Sequence, residues 1–326
     1  MVGYEGFIPE NTAPAGAKRI GIYKNGDRVG FARLGSLRAD KGKRLYSFGA
    51  VSDIHLDESN TIYPTSVPDC QKAFRYYNDH PDIDFLCICG DLTEKGRLEE
   101  LTFYQSVVDT YIPDKPVHVA AGNHEEYLYN SSDYYEQTVG HPLYYTFEYK
   151  GDVFIMCGVM SSHEDRLFEA GELDWLEGVL EANKNKRCFL FMHIPTAEGS
   201  GDPLNAYSGT QLASHADSVR FKGLLTHYKN VIHFHGHTHF KFELQERSDM
   251  ANYDKLFGTH SVHIPSLTVT RGLSDSNGLT SAVELSQGYI VDVYEGGIHL
   301  RGRDFIHDRD LAVASYWLDT ATQPVA

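Results

Sequence analysis

Along most of the chain, short apolar runs alternate with longer stretches in which apolar residues recur every three or four positions. The runs cover 46–51, 83–89, 117–121, 153–159, 188–192 and 231–234, and their length suits buried strands. The stretches at 67–79, 97–111, 172–183 and 217–227 carry the spacing of helices packed on one face. Strands alternating with helices predict an α/β fold in layers, with central β-sheets flanked by helices. Upstream, Lys24-Asn25-Gly26-Asp27 separates Ile20 and Ile22 from Val29 and Phe31. Asn-Gly between alternating apolar residues predicts a hairpin, here a small N-terminal β extension. The first 17 residues are rich in Pro, Gly and Asn and read as a loose arm. Near the other end, 262–269 reads as a strand, and 289–293 with 298–301 as a hairpin around Gly296-Gly297. The expected division is 1–45 for the arm and hairpin, 46–307 for the main domain and 308–326 for a partly helical tail.

Composition narrows the partners. Lys plus Arg number 29 against 45 for Asp plus Glu, a net charge of −16 that opposes a long nucleic-acid polyanion and suits small substrates. Five cysteines without a Cys-x2-Cys spacing argue against a zinc ribbon and fit a reducing cytoplasm, with Cys87 and Cys89 on one face of a buried strand. The N-terminus lacks a basic stretch followed by an apolar core, and no run approaches the roughly 20 apolar residues of a membrane span. The expectation is a soluble, unexported, cytoplasmic protein without a membrane partner.

Polar clusters stand directly after five of the apolar runs: Ser52-Asp53-Ile54-His55, Gly90-Asp91, Gly122-Asn123-His124-Glu125, Met192-His193 and Gly236-His237-Thr238-His239. The C-terminal ends of strands are where α/β sheets bind ligands. In an extended segment Asp53 and His55 point the same way and suit one ion, and His237 and His239 repeat that spacing. Imidazole with carboxylate oxygen and no thiolate suits Mn, Fe, Zn or a related ion, and Asp91, alone on its loop, is placed to bridge two. Glycines 90, 122 and 236 allow sharp bends and close backbone approach.

Taken in order, Asp-x-His, Gly-Asp followed by Gly96, Gly-Asn-His-Glu, a lone His and Gly-His-x-His resemble the calcineurin-like metallophosphoesterase family over 48–240, and 289–303 is similar to that family's closing β segment. The resemblance implies a layered metallophosphoesterase fold and two divalent transition-metal ions, drawn from Mn, Fe, Zn, Co and Ni. It implies that Asp53, His55 and His239 hold the first ion and Asn123, His193 and His237 the second, with Asp91 shared. His124 matches the family's general acid, and Glu94 stands where the family more often has an orienting Asp. The implied reaction hydrolyses a small phosphomonoester or phosphodiester: two ions about 3.5 to 4 Å apart share a hydroxide that attacks phosphorus in line. Two carboxylates, two divalent ions and one hydroxide leave a local positive charge that favours an anionic substrate despite the acidic chain. Asn123 and His124 are expected to contact that substrate, and His163, after the run 153–159, to face the same end.

Other polar residues read more plainly. Asp57 and Glu58 suit a solvated loop, His118 the core, and His233 and His235 packing or support of the ligands. Tyr127, Tyr129, Tyr134 and Tyr135 suit ordinary packing, and 195–215 is a long loop placed to select substrate. Two competing functions are a nuclease of the same superfamily, disfavoured by the negative charge, and an inactive interaction scaffold, disfavoured because every ligand position holds a competent residue.

Overall fold

The computed structural model describes residues 19–24, 27–33, 42–59, 62–125, 131–159, 168–195, 216–246, 253–256, 259–273, 279–280 and 284–319. The hairpin forms as the Asn-Gly signal predicts: β1 (Arg19–Lys24) and β2 (Asp27–Arg33) pair antiparallel with Lys24 opposite Asp27. The expected loose arm lies outside the described residues. The main body follows as β3 (Arg44–Val51), α1 (Ser66–Asp79), β4 (Phe85–Cys89), α2 (Leu98–Tyr111), β5 (Val117–Ala120), α3 (Ser131–Val139), β6 (Tyr145–Tyr149), β7 (Asp152–Cys157), α4 (Glu172–Ala182), β8 (Cys188–Met192), α5 (Ala216–His227) and β9 (Val231–His235). It closes with β10 (Tyr253–Leu256), β11 (Thr259–His263), β12 (Gly272–Leu273), β13 (Leu279–Thr280), β14 (Gln287–Tyr294), β15 (Gly297–Asp304) and β16 (Arg309–Asp319).

Two six-stranded sheets run in the orders β16-β15-β14-β3-β4-β5 and β10-β11-β9-β8-β7-β6. Their middles are parallel, β3 with β4 and β5, and β7 with β8, β9 and β11. Because side chains alternate across a strand, each apolar run feeds two cores. Tyr46, Phe48 and Phe85 meet Phe154, Phe189 and Phe234 between the sheets. Val51, Leu86, Ile88 and Ile290 turn outward to Phe74 and Tyr77 of α1 and Leu101 and Tyr104 of α2. Ile155, Leu190 and Val231 do the same beneath α4 and α5. The result is a helix, sheet, sheet, helix stack, the α/β layering expected. At its centre Phe48 stacks on Phe85 at 5.3 Å and stands edge-on to Phe154 and Phe189 at 5.2 and 5.3 Å, geometries that aromatic quadrupoles favour.

Two expectations are corrected. The strand expected over 262–269 stops at His263, because Pro265 has no N–H for the ladder. The chain turns there, and the Ser266 hydroxyl donates to Asp53 O at 2.8 Å while its oxygen accepts from Val269 N at 2.7 Å. The tail expected to be partly helical is instead β16 over its described length, paired antiparallel with β15. A register shift between Arg301 and Gly302 moves burial from Leu311 to Ala314, Tyr316 and Leu318. Leu311, Ala314 and Leu318 thus fall at three- and four-residue intervals, and a bulge imitates a helix. Among the described residues no helix is long and apolar enough to cross a membrane. All five cysteines are buried free thiols.

A buried polar group ties the two sheets. The Tyr46 hydroxyl donates to Asp152 Oδ2 at 2.5 Å, Arg187 donates to the same oxygen at 2.6 Å, and a second Arg187 nitrogen donates to Tyr294 O at 2.9 Å. Asp152→Ala strands Arg187 in the interior, so urea unfolding should show a loss of about 3 kcal/mol. Glu172, the first residue of α4, is also buried, and its carboxylate accepts from Glu169 N at 3.1 Å. Burial outweighs that amide and pushes its pKa from 4.5 up to about 8. A folded pKa above the unfolded one means stability that is full below about pH 4.5 and is lost as pH rises through about 8. Glu172→Gln should therefore flatten the fall in melting temperature across that window, a difference that thermal scans at stepped pH would record.

Candidate metal centre

The C-terminal ends of β3, β4 and β5 in one sheet meet those of β8 and β9 in the other. Main-chain bonds stitch the loops: Asp53 N to Gly90 O at 3.1 Å, Ile54 N and His55 N to Asp91 O at 2.7 and 3.0 Å, and Gly236 N to His193 O at 2.9 Å. Seven described non-glycine residues have a left-handed backbone, and five are Asp53 (φ 54°), His55 (49°), Asp91 (52°), His237 (70°) and His239 (63°). Such residues cost of order 1–3 kcal/mol each and persist where surrounding structure imposes them. The inward aim of Asp53 and His55 thus arises from two left-handed kinks rather than from the extended segment expected. Gly122 and Gly236 permit the closest approaches. A methyl group at 122 would overlap the Asp91 carboxylate, and one at 236 the Ser52 hydroxyl and Asp53 carboxylate.

Asp53, His55, Asp91 and His239 present ligand atoms within 4.8 Å of one another, and Asp91, His193 and His237 form a second such group. Asp91 belongs to both. His237 and His239, expected to share an ion by their spacing, divide between the two groups. Asn123 is buried, and the next amide, His124 N, donates to Asp91 Oδ1 at 3.0 Å.

Three of the imidazoles are fixed from behind. His193 Nδ1 donates to Cys89 O at 2.6 Å, His239 Nδ1 donates to Val269 O at 3.1 Å, and His55 Nδ1 faces Glu94 Oε2 at 3.1 Å. Carbonyl and carboxylate oxygens only accept, so each of these rings carries a proton on Nδ1 and turns Nε2 inward. There, His55 Nε2 lies 3.1 Å from His239 Nε2. His239 Nε2 lies 3.0 Å from Asp53 Oδ1, and His193 Nε2 lies 3.0 Å from Asp91 Oδ2. Ring nitrogens and carboxylate oxygens this close call for positive charge among them, as ring protons or as a metal ion, and the mix of nitrogen and oxygen donors fits transition metals.

The electrostatics agree. Burial alone would raise both aspartates, but His239 and His193 hold Asp53 below the usual carboxylate range, and His193 and His124 hold Asp91 well below it. Burial would lower His193, yet Asp91 and Asp53 lift it to about 10. Burial and the neighbouring His193 push His237 down to about 3, leaving it a neutral donor.

The flanking residues are placed as follows. His124 is the more open of the imidazoles, and its Nδ1 donates to the Glu94 main-chain oxygen at 2.6 Å. The Glu94 carboxylate lies 3.8 Å from His124 Nδ1, farther than its 3.1 Å from His55, so the carbonyl and not the side chain is the closer partner of His124. His163, Tyr127, Tyr129 and 196–215 lie outside the described residues. Asp57, expected in solvent, is buried, accepts from Ser59 N and Ile62 N at 3.1 and 3.3 Å, and faces Arg97 at 3.7 Å. His233 packs against Phe221 of α5, and His118 stacks on Phe147 at 3.7 Å. The supporting acceptors Cys89 O and Val269 O went unread in the sequence, since a main-chain oxygen has no residue type to signal it.

The family model described as calcineurin-like phosphoesterase matches residues 46–241, a span that runs from β3 past His239 and contains all five loops. The chain belongs to the calcineurin-like phosphoesterase family. Among solved structures, this calcineurin-like phosphoesterase is similar to purple acid phosphatase PPD1 from yellow lupin (Lupinus luteus) seeds, with a TM-score of 0.59 at 15% identity over 84% of this chain and 53% of that one. The chain thus spans about half the length of the lupin phosphatase, and the likeness shows the fold. The Thermus thermophilus sulfate thiohydrolase SoxB is similar at a TM-score of 0.45 and 11% identity, over 81% of this chain and 58% of that one. A 5'-nucleotidase precursor from Thermus thermophilus is similar at 0.41 and 11% identity, over 83% and 56%. No curated protein matches the chain.

In a calcineurin-like phosphoesterase with these clusters, bound ions should stabilise the fold. At about 100 times the dissociation constant, a ligand confined to the folded state contributes about 2.7 kcal/mol. Adding Mn should therefore raise the thermal midpoint of the metal-stripped protein, and Asp91→Ala should abolish that rise and lower the ion content found by elemental analysis.

Proposed function

We propose that the chain hydrolyses small phosphomonoesters or phosphodiesters with two divalent transition-metal ions. In this reading Asp53, His55 and His239 hold one ion, Asn123, His193 and His237 the other, and Asp91 is shared. One observation carries it: the inward Nε2 atoms of His55 and His239 lie 3.1 Å apart, and those of His239 and His193 lie 3.0 Å from the buried carboxylates of Asp53 and Asp91. When bound, such ions supply Lewis acidity, offsetting charge on phosphoryl oxygens and lowering the pKa of water.

The remaining work falls to the protein. His124 has its Nδ1 committed to Glu94 O, so a second proton is carried at Nε2, which lies 3.8 Å from Asp91 Oδ2. Burial disfavours that charge, but Asp91 and the Glu94 carbonyl outweigh it and raise the His124 pKa. A proton held at Nε2 is available to a departing alkoxide oxygen, the step where a general acid matters most. Asn123, beside it in the chain, would hold an ion and orient the phosphoryl group. The net charge of −16 opposes polyanions at long range, so a small phosphoester reaching the local positive charge fits better than a nucleic acid.

A panel of phosphomonoesters and phosphodiesters, including cyclic nucleotides, assayed with Mn, Fe, Co, Zn and Ni tests the reading. Failure of the Mn-loaded protein to hydrolyse either p-nitrophenyl phosphate or bis-p-nitrophenyl phosphate would sink it. His124→Asn should lower kcat on an alkyl ester by about 10²- to 10⁴-fold with ion content unchanged. Full turnover in that variant refutes the assigned acid.

A further inference from the structure

We propose that Glu125 is a positioning residue for His124, acting through the neighbouring loop. Its side chain is fully buried. One carboxylate oxygen accepts from the Thr93 amide at 3.0 Å and the Thr93 hydroxyl at 3.1 Å, and the other accepts from Gly122 N at 2.8 Å. Thr93 immediately precedes Glu94, whose carbonyl oxygen takes the His124 Nδ1 proton at 2.6 Å. Two adjacent residues of one loop, His124 and Glu125, therefore grip two adjacent residues of the other, Glu94 and Thr93. The contacts close a ring in which the peptide units 93–94 and 124–125 are held at both ends.

The ring has little slack. The Thr93 oxygen also accepts from Gly96 N at 3.0 Å, and Gly96 lies so close that a methyl group there would overlap the Glu125 main-chain oxygen. All three groups around the Glu125 carboxylate donate, a pattern that only a pair of acceptor oxygens satisfies. Glutamine at this position would turn its NH2 against an N–H of either Thr93 or Gly122. The loops must then part, and the Glu94 carbonyl moves away from His124. A misplacement of about 1 Å can lower a rate by about 100-fold. That loss concerns proton donation, so it should grow with the basicity of the departing oxygen, which a general loosening of the site would not produce.

The inference rests on His124 serving as the acid, as proposed above. Glu125→Gln should keep the ion content of the wild type. Its kcat should fall by about 100-fold on an alkyl phosphate and by less than about 10-fold on p-nitrophenyl phosphate, whose leaving group needs no acid. Imidazole 15N spectra of the metal-free protein, with His124 assigned by difference against His124→Asn, should lose the protonated Nδ1 signal. If Glu125→Gln does not fold, Thr93→Val, which removes the hydroxyl contacts to Glu125 and Gly96 and keeps the Thr93 amide bond, should shift the ratio of the two rates in the same direction, and Thr93→Ser should restore it. An equal loss on both esters, or an unchanged His124 spectrum in the variant that folds, overturns the proposal. Should the wild type hydrolyse neither ester, the hydrolase reading fails, and the spectrum still decides whether Glu125 positions His124.

Discussion

Two carboxylates, Asp53 and Asp91, are buried together with 0% and 1% of their surface exposed, and an ionised carboxylate in such a place must be met by positive charge. The rest of the centre follows from that demand. His55, His193 and His239 surround the pair with Nε2 inward, each held by an acceptor on its far side. Cysteines, which would add negative charge as thiolates, stay in the strands behind, where burial pushes the Cys87 and Cys89 thiols well above their usual range. A site with so much negative potential inside an acidic chain needs positive charge, which protonated His193 supplies in part and a cation held there would complete.

Holding five of the candidate ligands in left-handed backbone conformations requires a frame that cannot relax, and the aromatic packing between the sheets supplies it. Phe48, Phe85, Phe154 and Phe189 lock strands whose ends then stand at one level, so that the loops leaving them meet. Polar contacts finish what packing begins: Ser266 holds the Asp53 carbonyl, Gly122 and Gly236 admit the carboxylates, and Glu125 holds the loop beside His124. Strain is concentrated at the chemistry and opposed everywhere around it.

Much of this was legible in residue types and spacing. Buried parallel strands read as continuous apolar runs because both faces are covered, and all seven ligand residues expected sit at the strand ends where α/β sheets place ligands. What stayed hidden has physical causes. Period-two alternation suggested an extended Asp53–His55 pair, but left-handed φ values on non-glycine residues leave no mark in sequence. A bulge gave β16 a helical spacing. Asp57 looked solvated because charge normally seeks water, yet its loop closes on the carboxylate. Glu94 invited attention to its side chain, while the closer contact with His124 comes from its main-chain oxygen.

The centre draws on both sheets: Asp53, Asp91 and Asn123 follow β3, β4 and β5, whereas His193, His237 and His239 follow β8 and β9. Neither sheet alone holds either complete ligand group, since each group takes its aspartate from one sheet and at least one imidazole from the other. An ion held by either group would therefore reach across the seam between the two sheets. Sliding one sheet past the other would then require releasing that ion first, which would make a binding site a brake on unfolding.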